Sequence, residues 1–367
     1  MSKMVKIREL GQSIWLDYIE REFVRSGELE SLIDEGLGGL TSNPTIFEKA
    51  LQGTAYDQDI KALIKKQMSF EKIFEALAIK DIQDAADLFY PVFDKTKGKD
   101  GHVSFEVNPN LAHNTKKTIQ EAERLWAKID RPNAMIKVPA TEEGYPAITE
   151  LIGQGINVNV TLIFSLESYK KVTRAFRDGL ERMDRNGLPL HKVASVASFF
   201  VSRVDSKVDA LLEKAGNQDL QGKIAIANSK AAYTIFQDVF DNKEWEMLEN
   251  KGARVQRVLW ASTSTKNDAY PDTLYVDQLI GPHTVNTLPP DTLEKFNDHG
   301  KVNMTLSQDT LQAEKQLQKL ESLGISMEQV TDELLSEGVQ KFADSYESLM
   351  QALEAKRESM AKEVAGA

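Results

Sequence analysis

The sequence predicts an α/β protein of the (β/α)8 barrel class. Two patterns carry that expectation. Short β-rich runs alternate with longer segments whose apolar residues recur three and four apart, which is the signature of parallel βα units. Eight such runs occur, the number that closes a barrel. The length of 367 residues suits one such domain carrying insertions. A doubly wound open sheet is the alternative, because periodicity does not say how a sheet closes.

The expected strands, in order, are "SIWLDYI" (13–19), "LGGLTSN" (37–43), "HVSFEV" (102–107), "NAMIKVP" (133–139), "INVNVTLIF" (156–164), "VASVASFF" (193–200), "RVLWAST" (257–263) and "HTVNTLP" (283–289). Helical periodicity fills the intervals, for example 73–93, 169–183 and 224–240. Residues 44–101 depart most from regular spacing and read as extra helices inserted after the second strand. The segment 308–365 reads as C-terminal helices. Within it, Ser326 with Gln329 three residues later makes a capping-box pattern. The segment is expected to pack over the barrel, with the charged face of its terminal helix solvated. The whole chain, 1–367, is expected to be a single barrel domain.

Composition excludes several classes. The net charge of −11 argues against a nucleic-acid or anionic-membrane surface, but not against a small phosphorylated ligand held by a few cations. There are no cysteines, so no disulfide, thiolate metal site or cysteine nucleophile is expected. The five histidines form no close ligand pair, and no metal is expected. There is no P-loop, and "GLGG" (36–39) is not a dinucleotide fingerprint. No apolar run is long enough to span a bilayer, and the start has no signal-peptide pattern, so the cytoplasm is the expected location.

Alternation within the strands points to chemistry. Strand residues alternate faces. Val103 and Phe105 oppose Ser104 and Glu106; Ile136 and Val138 oppose Lys137; Val158 and Val160 oppose Asn159 and Thr161; Leu16 opposes Asp17. In a barrel, inward residues at the carboxyl ends of the strands form the active site. Asp17, Glu106, Lys137, Asn159 and Thr161 would converge there. An inward amine can attack a ketone or aldehyde to give a Schiff base, whose electron withdrawal permits a neighbouring carbon–carbon bond to break. Attack requires the neutral amine, and desolvation in a barrel mouth favours that form. The structural alternative is a buried salt bridge from Lys137 to Glu106 or Asp17.

The runs "GLTSNPTIFEKAL", "VSFEVNP", "MIKVPAT", "NVNVTLIFS", "VASFFVSRVD" and "WASTSTKN" resemble the transaldolases, in particular their longer bacterial form, over about residues 10–345. The resemblance implies a class I aldolase-type barrel without metal or cofactor. It implies transfer of a dihydroxyacetone unit from sedoheptulose 7-phosphate or fructose 6-phosphate to glyceraldehyde 3-phosphate or erythrose 4-phosphate, in the non-oxidative pentose phosphate pathway. It makes Lys137 the Schiff-base lysine and Asp17 the general acid/base. Glu106 and Thr161 would hold a catalytic water. Asn43, Thr41, Asn159, Ser198 and Phe200 would surround the substrate, and Arg203 with Ser262 would bind phosphate. Many shorter members carry a second arginine where Ser264 stands, so Lys266 is the candidate to replace its charge.

The related fructose 6-phosphate aldolases, which release free dihydroxyacetone, have Gln at the place of Glu106 and Tyr at that of Phe200. Glu106 and Phe200 therefore favour transfer. A non-catalytic sugar-phosphate-binding scaffold is the third reading, opposed by the intact Lys137, Asp17 and Glu106. The expected partners are small sugar phosphates, with no nucleic acid or membrane, on a monomer or homodimer. The resemblance implies that a late helix helps close the barrel, which would bring Phe342 and Tyr346 toward the mouth; the residues alone do not place them there.

Overall fold

The computed structural model describes residues 2–365, and side chains through residue 361. Eight parallel strands close into a barrel in chain order. They are β1 (Gln12–Asp17), β2 (Gly39–Thr41), β3 (His102–Glu106), β4 (Ala134–Pro139), β5 (Val158–Ile163), β6 (Ser195–Phe200), β7 (Arg257–Ala261) and β8 (Thr284–Leu288). Each falls within an expected run except at β1, which starts one residue earlier. β8 pairs back to β1, with Gln12 opposite Thr284, so the open-sheet alternative is excluded.

Register aligns the polar inward positions. Asp17 lies opposite Thr41, Glu106 opposite Lys137, and Lys137 opposite Asn159. These residues therefore occupy one level across five adjacent strands. The outward strand residues Val103, Ile136, Val138, Val158 and Val160 are buried under the surrounding helices. The same alternation has a different use at the opposite end. There Asp100 accepts from Ser13 Oγ at 2.6 Å and Trp15 Nε1 at 2.8 Å, and pairs with Arg257 at 3.3 Å. That buried network plugs the barrel floor.

The segment after β2 holds the helices Pro44–Gln52, Asp57–Lys65 and Phe70–Lys95. Asn43 starts the first, its side chain accepting from Ile46 N at 3.1 Å, with Pro44 at the first helical position. Arg21, just after β1, ties these helices to the barrel. Its Nε donates to Asp81 Oδ1 at 2.8 Å, Tyr56 donates to Asp81 Oδ2 at 2.8 Å, and its guanidinium also pairs with Asp59. Arg21 and Asp81 are 2% and 1% exposed. Removing one partner of a buried pair strands the other charge. Asp81→Asn is accordingly expected to lower unfolding free energy by about 3 kcal/mol in denaturant titrations. A loss within about 0.5 kcal/mol, the range of surface changes, would contradict this.

The terminal helix, Met327–Ala365, begins with Ser326 Oγ accepting from Gln329 N at 3.3 Å, as the capping pattern implies. It does not simply present a solvated face. It crosses the barrel mouth, where Leu334 and Gly338 are buried and Phe342 reaches inward. At Gly338 a Cβ would lie 3.0 Å from Leu162, which accounts for glycine inside a helix at this crossing. No helix among the described residues is long and apolar enough to cross a membrane.

Candidate active site

Lys137 stands at the centre of the mouth, 6% exposed. Its Nζ donates to the backbone carbonyl of Ser42 at 2.9 Å. It forms no ion pair among the described residues, so the buried salt bridge to Glu106 or Asp17 is absent. The Phe342 ring covers the amine, its centroid 5.9 Å from Nζ. The β2 strand end is thus bent so that a carbonyl, and not a carboxylate, holds the amine. This leaves the nitrogen buried and outside ion-pair contact, though its charge acts on both Asp17 and Glu106.

Two acids flank it. Asp17 closes β1 and accepts from Thr41 Oγ1 at 2.7 Å, while Thr41 also contacts Thr287 Oγ1 at 2.8 Å. Burial pushes the Asp17 carboxyl up, opposed by the Lys137 charge and the Thr41 hydrogen bond. Burial pushes Glu106 up to about 7; the Lys137 charge opposes this and Asp17 adds to it.

A stability prediction follows from Glu106. Its ordinary value is 4.5, so between 4.5 and about 7 the native state keeps a proton that the unfolded chain has lost. Stability therefore falls as pH rises through that window. Unfolding titrations at pH 5 and 8 should show a loss, shared with Asp205, of which Glu106 contributes on the order of 1–3 kcal/mol that Glu106→Gln removes. An unchanged pH dependence in the variant would contradict it.

Glu106 Oε2 and Thr161 Oγ1 are both buried with no partner. Unpaired buried polar atoms are costly and call for a missing partner. Beside Glu106 lies a cavity of about 10 Å³, lined also by Leu162, Val339 and Phe342, at the lower limit for one water. Glu106 lines that cavity and can offer a carboxyl oxygen to such a water, while Thr161 immediately precedes the lining Leu162 on β5.

Across the mouth, Asn159 is locked on both sides. Its Nδ2 donates to Ser104 Oγ at 3.0 Å, and its Oδ1 accepts from Ser198 Oγ at 2.7 Å. One N–H and one lone pair remain for a ligand. Asn43 spends its Oδ1 on the helix cap, which leaves its amide N–H₂ available. Phe200 packs on Phe164 with centroids 5.0 Å apart, and the Arg203 guanidinium lies 5.1 Å from its ring centroid.

Arg203 sits in the first turn of the helix Ser202–Lys214, an end that favours anions. Ser262 has φ 56°, a left-handed conformation that a non-glycine residue rarely adopts. The turn brings its Oγ within 3.0 Å of Ser202 Oγ. Lys266 Nζ donates to Ser264 Oγ at 2.6 Å. Burial, then Arg203, then Lys341 push Lys266 down. Leu162 also has a positive φ, 60°, where β5 shifts register against β6. A larger cavity of about 880 Å³ lies beside the mouth, between the helix Leu166–Arg185 and the C-terminal helices, sharing Leu162 with the cavity at Glu106.

Of the twelve residues singled out in the sequence, Asp17, Thr41, Glu106 and Phe200 end their strands, Lys137, Asn159, Thr161 and Ser198 lie within theirs, Asn43, Ser262 and Lys266 follow β2 or β7, and Arg203 is in the first turn of the helix after β6. Four contributors were not singled out. The Ser42 carbonyl carries no side-chain signal. Ser104 shares the inward face of Glu106, and Thr287 that of β8. Phe342 belongs to the stripe Leu335, Val339, Phe342, Tyr346, whose spacing of four, three and four marks a buried face.

Fold and mouth together define a class: an enzyme barrel with a buried amine between two acids. A family model described as Transaldolase/Fructose-6-phosphate aldolase matches residues 14–353, and the chain belongs to that family. It is 47% identical to a transaldolase of Trichodesmium erythraeum, over 96% of this chain and 97% of the relative. It is 46% identical to transaldolase 2 of Streptomyces coelicolor, over 97% of each. A transaldolase of Thermobifida fusca is 47% identical, over 95% of this chain and 96% of the relative.

Proposed function

We propose that the mouth carries out the transaldolase reaction with Lys137 as the Schiff-base nucleophile. The carrying observation is an amine 6% exposed, held by a carbonyl and free of ion pairs, among Asp17, Glu106 and Asn159. Lys137 Nζ attacks the C2 carbonyl of fructose 6-phosphate or sedoheptulose 7-phosphate. Loss of water, with protons passed through a water held by Glu106 and Thr161, gives the protonated imine. Asp17 takes the C4 hydroxyl proton, the C3–C4 bond breaks, and its electron pair moves to the imine nitrogen. The aldose phosphate leaves, and a three-carbon enamine stays on Lys137.

Asn43 and Asn159 hold the hydroxyls of that unit, with Ser198 and Thr41 fixing Asn159 and Asp17. Phe200 and Phe342 keep bulk water away. Arg203, Ser262 and Lys266 bind the phosphate. An acceptor aldose phosphate then enters, and the steps reverse to a new ketose phosphate.

The second reading, release of free dihydroxyacetone, is opposed by Glu106 and Phe200. The deciding experiment supplies fructose 6-phosphate with and without erythrose 4-phosphate. Sedoheptulose 7-phosphate formation that requires the acceptor supports transfer. Free dihydroxyacetone formed at the same rate either way would overturn it. We place this chemistry in a single barrel domain acting in the cytoplasm as a monomer or homodimer. The continuous β1–β8 closure and the lack of cysteines support that placement.

A further inference from the structure

Besides Lys137, three cations near the mouth sit in no ion pair among the described residues. Arg203 stacks on Phe200, Lys266 bonds only a serine hydroxyl, and Lys341 is exposed with neither an ion pair nor a hydrogen bond. The nearest acid on the terminal helix, Glu337, is engaged by Lys207 at 2.6 Å. The Glu337 charge reaches Arg203, but none of the three cations is in ion-pair contact with a carboxylate, and together they form a site for an anion of more than one charge.

The terminal helix fixes where Lys341 stands. At Gly338 a Cβ would lie 3.6 Å from an Arg203 guanidinium nitrogen. Four residues on, Phe342 covers the Lys137 amine. Lys341 lies three residues after Gly338, on the same side of the helix. The helix thus spans from the phosphate-binding arginine to the reactive amine over about 6 Å of axis. In a hexose phosphate, a chain of four carbon–carbon bonds and a phosphoester separates C2 from phosphorus. One substrate can therefore touch both ends of this helical turn. Lys341 also contributes to holding Lys266 below the ordinary lysine range.

We propose that Lys341 is a third phosphate-binding cation, through which the phosphate of the sugar seats the terminal helix over the mouth. The proposal rests on reading Arg203 and Lys266 as the phosphate site. It gives the bound phosphate a second role. The empty site carries mutual repulsion among three cations, and a dianion removes it. The helix is drawn down, with Phe342 over the imine. When the C3–C4 bond breaks, the phosphate departs with the aldose. The clamp then loosens at the step where product must leave and acceptor must enter.

The test compares Lys341→Gln, Lys341→Arg and Arg203→Gln. Lys341→Gln is expected to raise KM for fructose 6-phosphate about tenfold, with kcat within about twofold. It should raise the inhibition constant of inorganic phosphate by the same factor. Lys341→Arg should restore both, and kcat/KM for unphosphorylated fructose should not change. Hydrogen–deuterium exchange of the segment 336–346 should slow on adding inorganic phosphate in the unaltered protein but not in Lys341→Gln. If Arg203→Gln weakens phosphate inhibition while Lys341→Gln changes neither KM nor inhibition beyond twofold, this proposal fails and the phosphate site stands. If Arg203→Gln also leaves inhibition unchanged, the phosphate site itself is misassigned.

Discussion

Lys137→Ala is expected to lower kcat by about 10⁴-fold or more while the protein stays folded. The magnitude follows from the role. A nucleophile that forms the covalent intermediate cannot be replaced by positioning alone, and loss of such a residue in other enzymes leaves only residual catalysis. The fold survives because Lys137 makes one hydrogen bond, to the Ser42 carbonyl, and that carbonyl lies beside the mouth where water can replace the amine. Steady-state transfer assays and thermal unfolding, run together, check both halves. A folded Lys137→Ala enzyme within tenfold of the original rate would contradict the assignment.

Asp17→Asn is expected to cost 10²–10⁴-fold in kcat, the usual contribution of a general acid/base. Asparagine keeps the volume and can still meet Thr41, but it cannot take the C4 hydroxyl proton. Burial already pushes the Asp17 carboxyl up, which makes its carboxylate a stronger base than a solvated one. The loss should fall on carbon–carbon cleavage and not on imine formation. Asp17→Asn should therefore still be trapped at Lys137 by borohydride with fructose 6-phosphate. Loss of trapping together with loss of turnover would place Asp17 in imine formation instead.

The barrel was legible because eight β-rich runs alternate with helical segments, and in the strands of Asp17, Glu106, Lys137 and Asn159 apolar residues outside alternate with polar residues inside. Lys137 stood out as a lysine in an otherwise apolar run, and the register of β3, β4 and β5 explains why Glu106 and Asn159 stand beside it. Six of the eight expected runs extended beyond the true strands at their carboxyl ends, where part of the site lies. Asn43 caps a helix, and Ser262 turns left-handed, so both leave the ladder to face the mouth.

What stayed hidden was long-range. Phe342 reaches Lys137 across 205 positions (342 − 137), and no local period records that meeting. Its apolar stripe announces burial but not against what. The charged residues around it, Lys341 among them, favour reading the helix as solvated. The Ser42 carbonyl is invisible for a simpler reason, since backbone groups carry no residue identity.

The most direct measurement is borohydride reduction of the protein with fructose 6-phosphate, followed by peptide mass mapping. The account predicts a stable three-carbon or six-carbon adduct on the peptide that carries Lys137, absent in Lys137→Ala. Failure to form that adduct while fructose 6-phosphate binds, or an adduct on another lysine, would contradict it.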